Sequence, residues 1–302
     1  MEILSKSSFP TESQTGPEGV LARVVSTARD ALARHGDAVP ESIGVSCGGP
    51  LDSVKGLVLS PPNLPGWDRI PVVRILSEGL GAPAHLQNDA NACALAEWKY
   101  GAGRGCRSMV FLTFGTGMGG GLILDGRLYS GANDMAGEVG HIRMAGDGPV
   151  GYGKKGSFEG FCSGGGIAQI AKAEVRRLLA AGGKPALCPD ETAMAALTAR
   201  HVGDAARGGD VLAGEILATS GRYLGRALAI LIDVLNPERI VIGSIFGRCE
   251  EFLRPAMEEA IRAEALPLAS SVCRIVPAGL GEAIGDYAAL SIAAAAGEGK
   301  SA

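Results

Sequence analysis

Apolar residues recur at two spacings along this chain, and the spacing divides it into helices and strands. Val20, Leu21, Val24, Val25 and Leu32 fall at helical intervals behind Thr15-Gly16-Pro17-Glu18, which has capping-box separation, so a helix of about five turns should end near Gly36. Short apolar runs bounded by Gly and Pro predict strands at residues 2–9, 42–46, 57–59, 83–87 and 109–114. Residues 90–100 read as a helix, and two short apolar segments around Asp125-Gly126 read as a tight hairpin. Beyond residue 166 the pattern turns mainly helical, with helices expected at 167–180, 191–201, 210–235, 249–265 and 282–296. The third of these carries a stripe through Leu217, Leu224, Leu228 and Leu231, and strands are expected at 239–242 and 272–276.

Strands alternate with helices in both halves, which predicts an α/β architecture with two sheets and a cleft between them. A length of 302 residues allows two domains with a core each. The formal net charge of -4, without a Lys/Arg cluster, argues against nucleic acid as a partner. Seven scattered cysteines with no C-x-x-C pair support neither a disulfide framework nor a zinc site, and a reducing cytoplasm suits them. No signal peptide is visible at the start, and the most apolar stretches, 227–235 and 287–296, are too short to span a membrane, so a soluble protein is expected.

Polar groups concentrate between Gln87 and Gly166. Asn88 and Asp89 stand between a strand and a helix, where side chains face clefts, and capping explains Asp89 about as well as chemistry does. Glu138, His141 and Glu159 add two acceptors and a group that donates or accepts, all in Gly-rich surroundings. Gly115, Gly117 and Gly120 satisfy G-x-G-x-x-G after a strand, but a hairpin follows where a dinucleotide fingerprint requires a helix. A loop with free N–H groups and the Thr116 hydroxyl suits phosphate oxygens, although a plain glycine-rich turn has the same pattern. The glycines of Cys47-Gly48-Gly49-Pro50-Leu51-Asp52 allow close backbone approach to a ligand, and three prolines stiffen the loop around Asn63 and Trp67.

Taken in order, CGGPLD, PPNLPGW, NDANACALAEW, FGTGMGGG, AGEVGHI, the Glu-bearing segment before SGGG, NPERIVIG and LGEAIGDYAAL resemble the ROK family of bacterial sugar kinases and repressors. The resemblance implies the actin-like ATPase, ribonuclease H-like fold. It places a smaller domain at 1–105, completed by a helix at 286–302, a larger domain at 106–285, and sugar and ATP in the cleft. It matches Asp89 to the catalytic base, and Gly49, Asn63, Asn88, Glu138, His141 and Glu159 to the sugar-binding set. Gly115, Thr116 and Gly117 match a phosphate loop, and Gly243 and Ser244 a loop near the adenosine, where a second Gly is usual in place of Ser244. Implied with these are ATP and Mg2+ as cofactors, a small-molecule sugar as partner and a homodimer. Glucose is the first substrate to expect, with N-acetylmannosamine, N-acetylglucosamine, fructose and allose as alternatives.

Two departures qualify the match. Family members place a strand and an Asp-x-Gly-Gly-Thr phosphate loop near the N-terminus, and nothing before Ser42 corresponds, so the expectation is a reading frame that begins upstream or else a kinase remnant. Many relatives bind zinc through three cysteines and a histidine. Val150, Tyr152 and Ser157 occupy the cysteine positions here, so no zinc is expected and Lys154, Gly156 and local packing should shape that loop. Neither a helix-turn-helix segment nor a basic patch supports DNA binding. An ATP-dependent sugar kinase is therefore expected, with a non-catalytic sugar-binding sensor as the rival class.

Overall fold

The computed structural model describes residues 2–36, 38–188 and 190–298. Residues 2–12 form no regular secondary structure, and Leu4 is 71% exposed. The strand expected at 2–9 is absent, because an extended segment is stabilised only by a neighbour that pairs with its backbone. Lys6 instead ties this segment to Asp286 at 2.6 Å. Helix α1 (Gly16–Arg34) lies where periodicity put it, but the capping box does not close. Thr15 donates its hydroxyl to the Glu12 carbonyl at 2.9 Å, and Pro17 opens the helix with its preset φ.

Strands β1 (Ile43–Cys47), β2 (Leu51–Asp52) and β3 (Leu57–Val58) lead to α2 (Val72–Leu80), which is not among the expected elements, and then to β4 (Ala84–Asn88). The proline-rich loop before α2 hides its start, yet Val72 and Leu76 sit one turn apart and are buried. β1 and β4 pair in parallel, with Cys47 beside Asn88, so both strands end at the same level. Val20, Leu21, Leu51, Trp67, Leu76 and Leu86 form the core under this sheet.

After α3 (Asp89–Tyr100), β5 (Met109–Leu112), β6 (Gly120–Leu124) and β7 (Arg127–Tyr129) form a meander, and Asp125 and Gly126 make its tight turn with φ of 50° and 74°. The short strands β8 (Val150–Gly151) and β9 (Lys154–Lys155) precede α4 (Phe158–Phe161) and α5 (Gly164–Ala180). The single helix expected at 191–201 is two, α6 (Glu191–Met194) and α7 (Ala199–Arg207). Thr198 accepts the His201 amide while the His201 ring faces the Thr198 backbone N–H, a reciprocal cap that starts a new helix inside the predicted one.

Asp210 caps α8 (Val211–Leu235), and β10 (Arg239–Ile242) follows as predicted. α9 (Ile245–Glu264) begins before the expected 249, with a kink at Cys249. The strand expected at 272–276 is β11 (Arg274–Pro277), and it is preceded by an unexpected helix, α10 (Pro267–Val272), which Pro267 starts. α11 (Ile284–Glu298) closes the described chain, and the end of the helix expected at 286–302 lies outside the described residues.

The five-stranded sheet runs β11-β10-β5-β6-β7, and strand alternation buries both its faces. Val110, Leu112, Ile240 and Ile242 meet the core shared with α5, α8 and α9. Met109, Phe111, Ile123 and Val241 meet Leu95 of α3 and Ala288 and Ile292 of α11. α11 also lies flush on β1, where a Cβ at Gly44 would fall 1.8 Å from the Ala289 carbonyl oxygen. The α3/α11 layer thus separates the two sheets, and the N-terminus of α3 opens between them.

Candidate active site

β4 passes into α3 at Asn88-Asp89. Asn88 is the cap: its Oδ1 accepts the amides of Ala90 at 2.9 Å and Asn91 at 3.5 Å. The capping role that the sequence leaves open for Asp89 therefore falls to its neighbour. Asp89 occupies the first helical position, where its Oδ1 accepts only the Ala90 amide among the described backbone groups of other residues, at 2.9 Å. Burial pushes its carboxyl above the ordinary value, and the hydrogen bond to Ala90 opposes that shift without cancelling it.

The second group arrives from the segment after β7. Gly120 donates its amide to the Gly137 carbonyl at 2.8 Å, and Gly140 lies so close to Met118 that a Cβ there would meet its carbonyl oxygen at 2.0 Å. Only glycines permit this approach, which lays Glu138 to His141 against β6 and the loop before it. Burial raises the Glu138 carboxyl, with the like charges of Asp89 and Glu159 adding to the rise and His141 lowering it. Four sequence-predicted groups therefore share one electrostatic neighbourhood. His141 is further held by Lys154, whose Nζ donates to the His141 carbonyl at 2.6 Å, and by Tyr152, whose ring stands edge-on at 6.5 Å. Gly156 pins the same loop by accepting the amides of Met144 and Ala145 at 2.8 and 3.0 Å.

Glu159 is presented by α4, which Ser157 caps through its buried hydroxyl, 3.1 Å from the Gly160 amide. Its Oε2 accepts the Met118 amide at 3.0 Å, at the end of the Gly115-Thr116-Gly117 loop. That loop is a tight turn, with the Gly115 amide donating to Gly117 at 3.1 Å, and Thr116 is exposed at its tip. Gly164, in the first turn of α5, donates to the Gly115 carbonyl at 2.7 Å. A Cβ on Gly115 would lie 3.7 Å from the Ser244 hydroxyl, and Ile245 donates to the Phe114 carbonyl at 2.9 Å. Two long helices, α5 and α9, consequently start at this loop, and the positive ends of their dipoles favour an anion there. Ser244 adopts φ 51°, which explains why Gly is the easier residue at that position.

Gly49 joins the first group, since a Cβ there would sit 3.4 Å from Asn88 Nδ2. Asn63 is exposed on a loop closed by the Ser60 amide on the Trp67 carbonyl at 2.8 Å, and no described contact brings it to the carboxylates. A cavity of about 450 Å³ lies between Pro50, Leu51, Asp52, which follow Gly49, and the segment Gly131, Asn133, Asp134, which precedes Glu138 by a few residues. Ser53 bridges its rim, donating through backbone and side chain to Asp134 at 2.8 Å. A larger hollow of about 750 Å³ along α9 contains none of the predicted site residues and is lined by ion-paired Arg254, Glu250 and Glu258. Sequence reasoning missed the α5 N-terminus and the Met118 amide. The Ser163-Gly164-Gly165-Gly166 start was the available signal for the first, and a backbone donor leaves none for the second.

The sequence matches the ROK family over residues 1–296. The chain belongs to the ROK family. Among ROK relatives, the glucokinase of Halalkalibacterium halodurans is 34% identical over 270 residues, which is 88% of this chain and 80% of that protein. The DNA-binding transcriptional repressor Mlc of Escherichia coli is 29% identical over 253 residues, 82% of this chain and 60% of the repressor. The ROK hexokinase structure from Thermus thermophilus superposes with a TM-score of 0.78 at 30% identity, covering 99% of this chain and 93% of that one. A ROK glucokinase from Streptomyces griseus, solved in complex with glucose and AMPPNP, gives 0.72 at 27% identity, covering 92% and 88%. These neighbours carry the actin-like ATPase fold expected of a ROK protein, so the α/β architecture described above is that fold.

Proposed function

We propose that this ROK protein phosphorylates a hexose hydroxyl with ATP, with glucose the first substrate to test and Asp89 as the general base. The observation that carries the reading is the meeting of two unlike groups. Asp89, Glu138, His141 and Glu159 gather on one side, and a glycine loop with two helix N-termini lies on the other, joined by the Met118–Glu159 hydrogen bond. Phosphoryl transfer asks for little covalent work from a protein: an acceptor hydroxyl held in line, a carboxylate to take its proton, and donors around the phosphates.

In this reading Asn88, Glu138, His141 and Glu159, with Gly49 and Asn63, hold the sugar by its hydroxyls, and Asp89 accepts the proton of the hydroxyl that attacks. Gly115, Thr116 and Gly117 receive phosphate oxygens together with the start of α5, and Gly243 and Ser244 lie where the nucleoside would rest. ATP, with Mg2+, supplies the phosphoryl group when bound. The donor set suits a nucleotide's phosphates, because Thr116 is exposed on the loop at which α5 and α9 begin. It does not fit zinc at the former cysteine positions, where Val150 offers carbon and the Ser157 hydroxyl is spent on capping α4.

The domain limits at 105/106 and 285/286 belong to the same proposal, as does a reducing cytoplasm for the seven free thiols. No helix among the described residues is long and apolar enough to cross a membrane. For assembly we propose a homodimer through the face where Ile230 and Val234 of α8 lie beside Leu266, Leu268 and Val272, all of them exposed. The Leu266 amide donates to Asp233 at 3.0 Å, which joins the two pieces. Its border carries both signs, with Arg226 and Glu264 paired at 3.6 Å, and so suits a second copy of itself.

Similarity to a repressor favours one rival, a ROK protein that binds sugar without turnover. Calorimetry with glucose, combined with a coupled assay for ADP release with ATP and magnesium, separates the two. A kinase turns over, whereas a sensor gives binding heat alone. Asp89→Asn should keep glucose affinity and lower transfer by roughly 10²–10⁴-fold. Phosphorylation at the wild-type rate in that variant would remove Asp89 from the role of base.

A further inference from the structure

Glu159 does two jobs at once in this geometry. It belongs to the carboxylate group proposed to hold the sugar, and its Oε2 accepts the Met118 amide at 3.0 Å, immediately after the phosphate loop. The clasp is built into the sequence around it. A Cβ on Gly117 would stand 2.8 Å from the same Oε2, so a larger residue before Met118 would push the carboxylate away from that amide. Gly140 packs between the Met118 carbonyl and the Glu159 side chain, with a virtual Cβ 2.0 Å from the first and 3.3 Å from the Glu159 Cβ. Gly166, near the start of α5, is equally tight on the Gly160 carbonyl at 1.9 Å. Carboxylate, loop and helix start are therefore packed against one another.

We infer that Glu159 is the positioning residue through which an occupied sugar site sets the phosphate loop. The inference rests on the kinase reading for the identity of both ligands. A carboxylate has two oxygens and about four lone-pair sites, so the Met118 bond leaves capacity for a hydroxyl donor. Among the described residues the Met118 amide is the hydrogen-bond donor that the Glu159 carboxylate engages, through Oε2. A hydroxyl donated to Glu159 adds a second hold on the side chain that fixes the Met118 amide. Sugar binding then preorganises the loop, and the reciprocal effect, tighter sugar binding with nucleotide present, follows by linkage.

The test uses two variants and two readouts on the full chain. Glu159→Gln keeps a carbonyl oxygen for the Met118 amide and loses the charge, whereas Glu159→Ala loses both. In hydrogen exchange without any ligand, the Met118 amide should exchange on the order of tenfold faster in Glu159→Ala and near the wild-type rate in Glu159→Gln. In titrations with a fluorescent ATP analogue and magnesium, saturating glucose should tighten nucleotide binding in the wild type and have no effect in Glu159→Ala. Glu159→Gln should retain the sugar-free nucleotide affinity. Wild-type exchange at Met118 in the alanine variant, or equal tightening by glucose in both proteins, overturns the inference. Should the wild type bind no glucose or other hexose, the proposed function fails and the glucose coupling with it, while the exchange rates still decide whether the clasp exists.

Discussion

Asp89 and Glu138 share a property with opposite consequences for stability and for activity. Both residues remain accessible to solvent, yet the surrounding protein partly desolvates their carboxyl groups and raises them above their ordinary values, so the folded chain binds more protons than the unfolded one through that range. The contribution of each group to stability is therefore fully present at low pH and is lost as pH rises through its raised folded value. Asp89→Asn removes this loss for Asp89: it should raise the melting temperature at pH 7, and the gain should vanish below about pH 4, where both states are protonated. Proton acceptance requires the ionised form, so the acid limb of the pH–rate profile should lie above the ordinary aspartate value. A gain of equal size at both pH values, or an acid limb at the ordinary value, would show that burial does not govern this carboxylate.

Helix α3 presents Asp89 at one end and anchors itself at the other. Glu97 is fully buried, its Oε2 accepts the amides of Ala102 at 2.7 Å and Gly279 at 3.0 Å, and its Oε1 accepts that of Leu280 at 2.9 Å. One carboxylate thus ties the end of α3 to the segment that carries the chain from β11 into α11. Glu97→Ala leaves those donors without partners, at a cost of roughly 3–5 kcal/mol, which should lower the denaturation midpoint. Exchange should quicken at residues 278–283 as well as at 101–103, and an unchanged midpoint would contradict the anchoring role. Nothing in the sequence marks Glu97 for this task, since its partners at 279 and 280 are distant in the chain. The helix itself was legible from its periodicity, as were β1, β4, β5, β10 and α8. Those whose limits were misread depended on a local cap, at Thr198, or on a pairing partner, as for residues 2–9.

At the scale of the whole molecule, the apolar face of α8 and α10 is the feature that the monomer leaves unsatisfied. Ala269 and Cys273 turn into the core, while Leu268 and Val272, one turn apart, stay exposed at 87% and 55%. Light scattering should find a dimer in the wild type and a monomer in Leu268→Asp with the fold retained, as checked by circular dichroism. A wild-type monomer, or a variant that remains dimeric, would rule this face out. The edge strand β11 is a poorer interface, because Arg254 donates to its Ile275 carbonyl at 3.2 Å and blocks pairing there.

The sequence by itself determined the α/β class, most strands of the larger sheet together with β1 and β4, and the family, because periodicity and ordered motifs are local or additive properties of a chain. It also singled out Asp89, Glu138, His141 and Glu159 by residue type. Only the tertiary structure decided that Asn88, not Asp89, caps α3, that two helix starts converge on the Gly115 loop, and that Glu159 grips Met118. These are contacts made by backbone groups common to every residue, so no side-chain pattern announces them. Their positions follow from glycine-permitted approaches between segments that folding alone brings together.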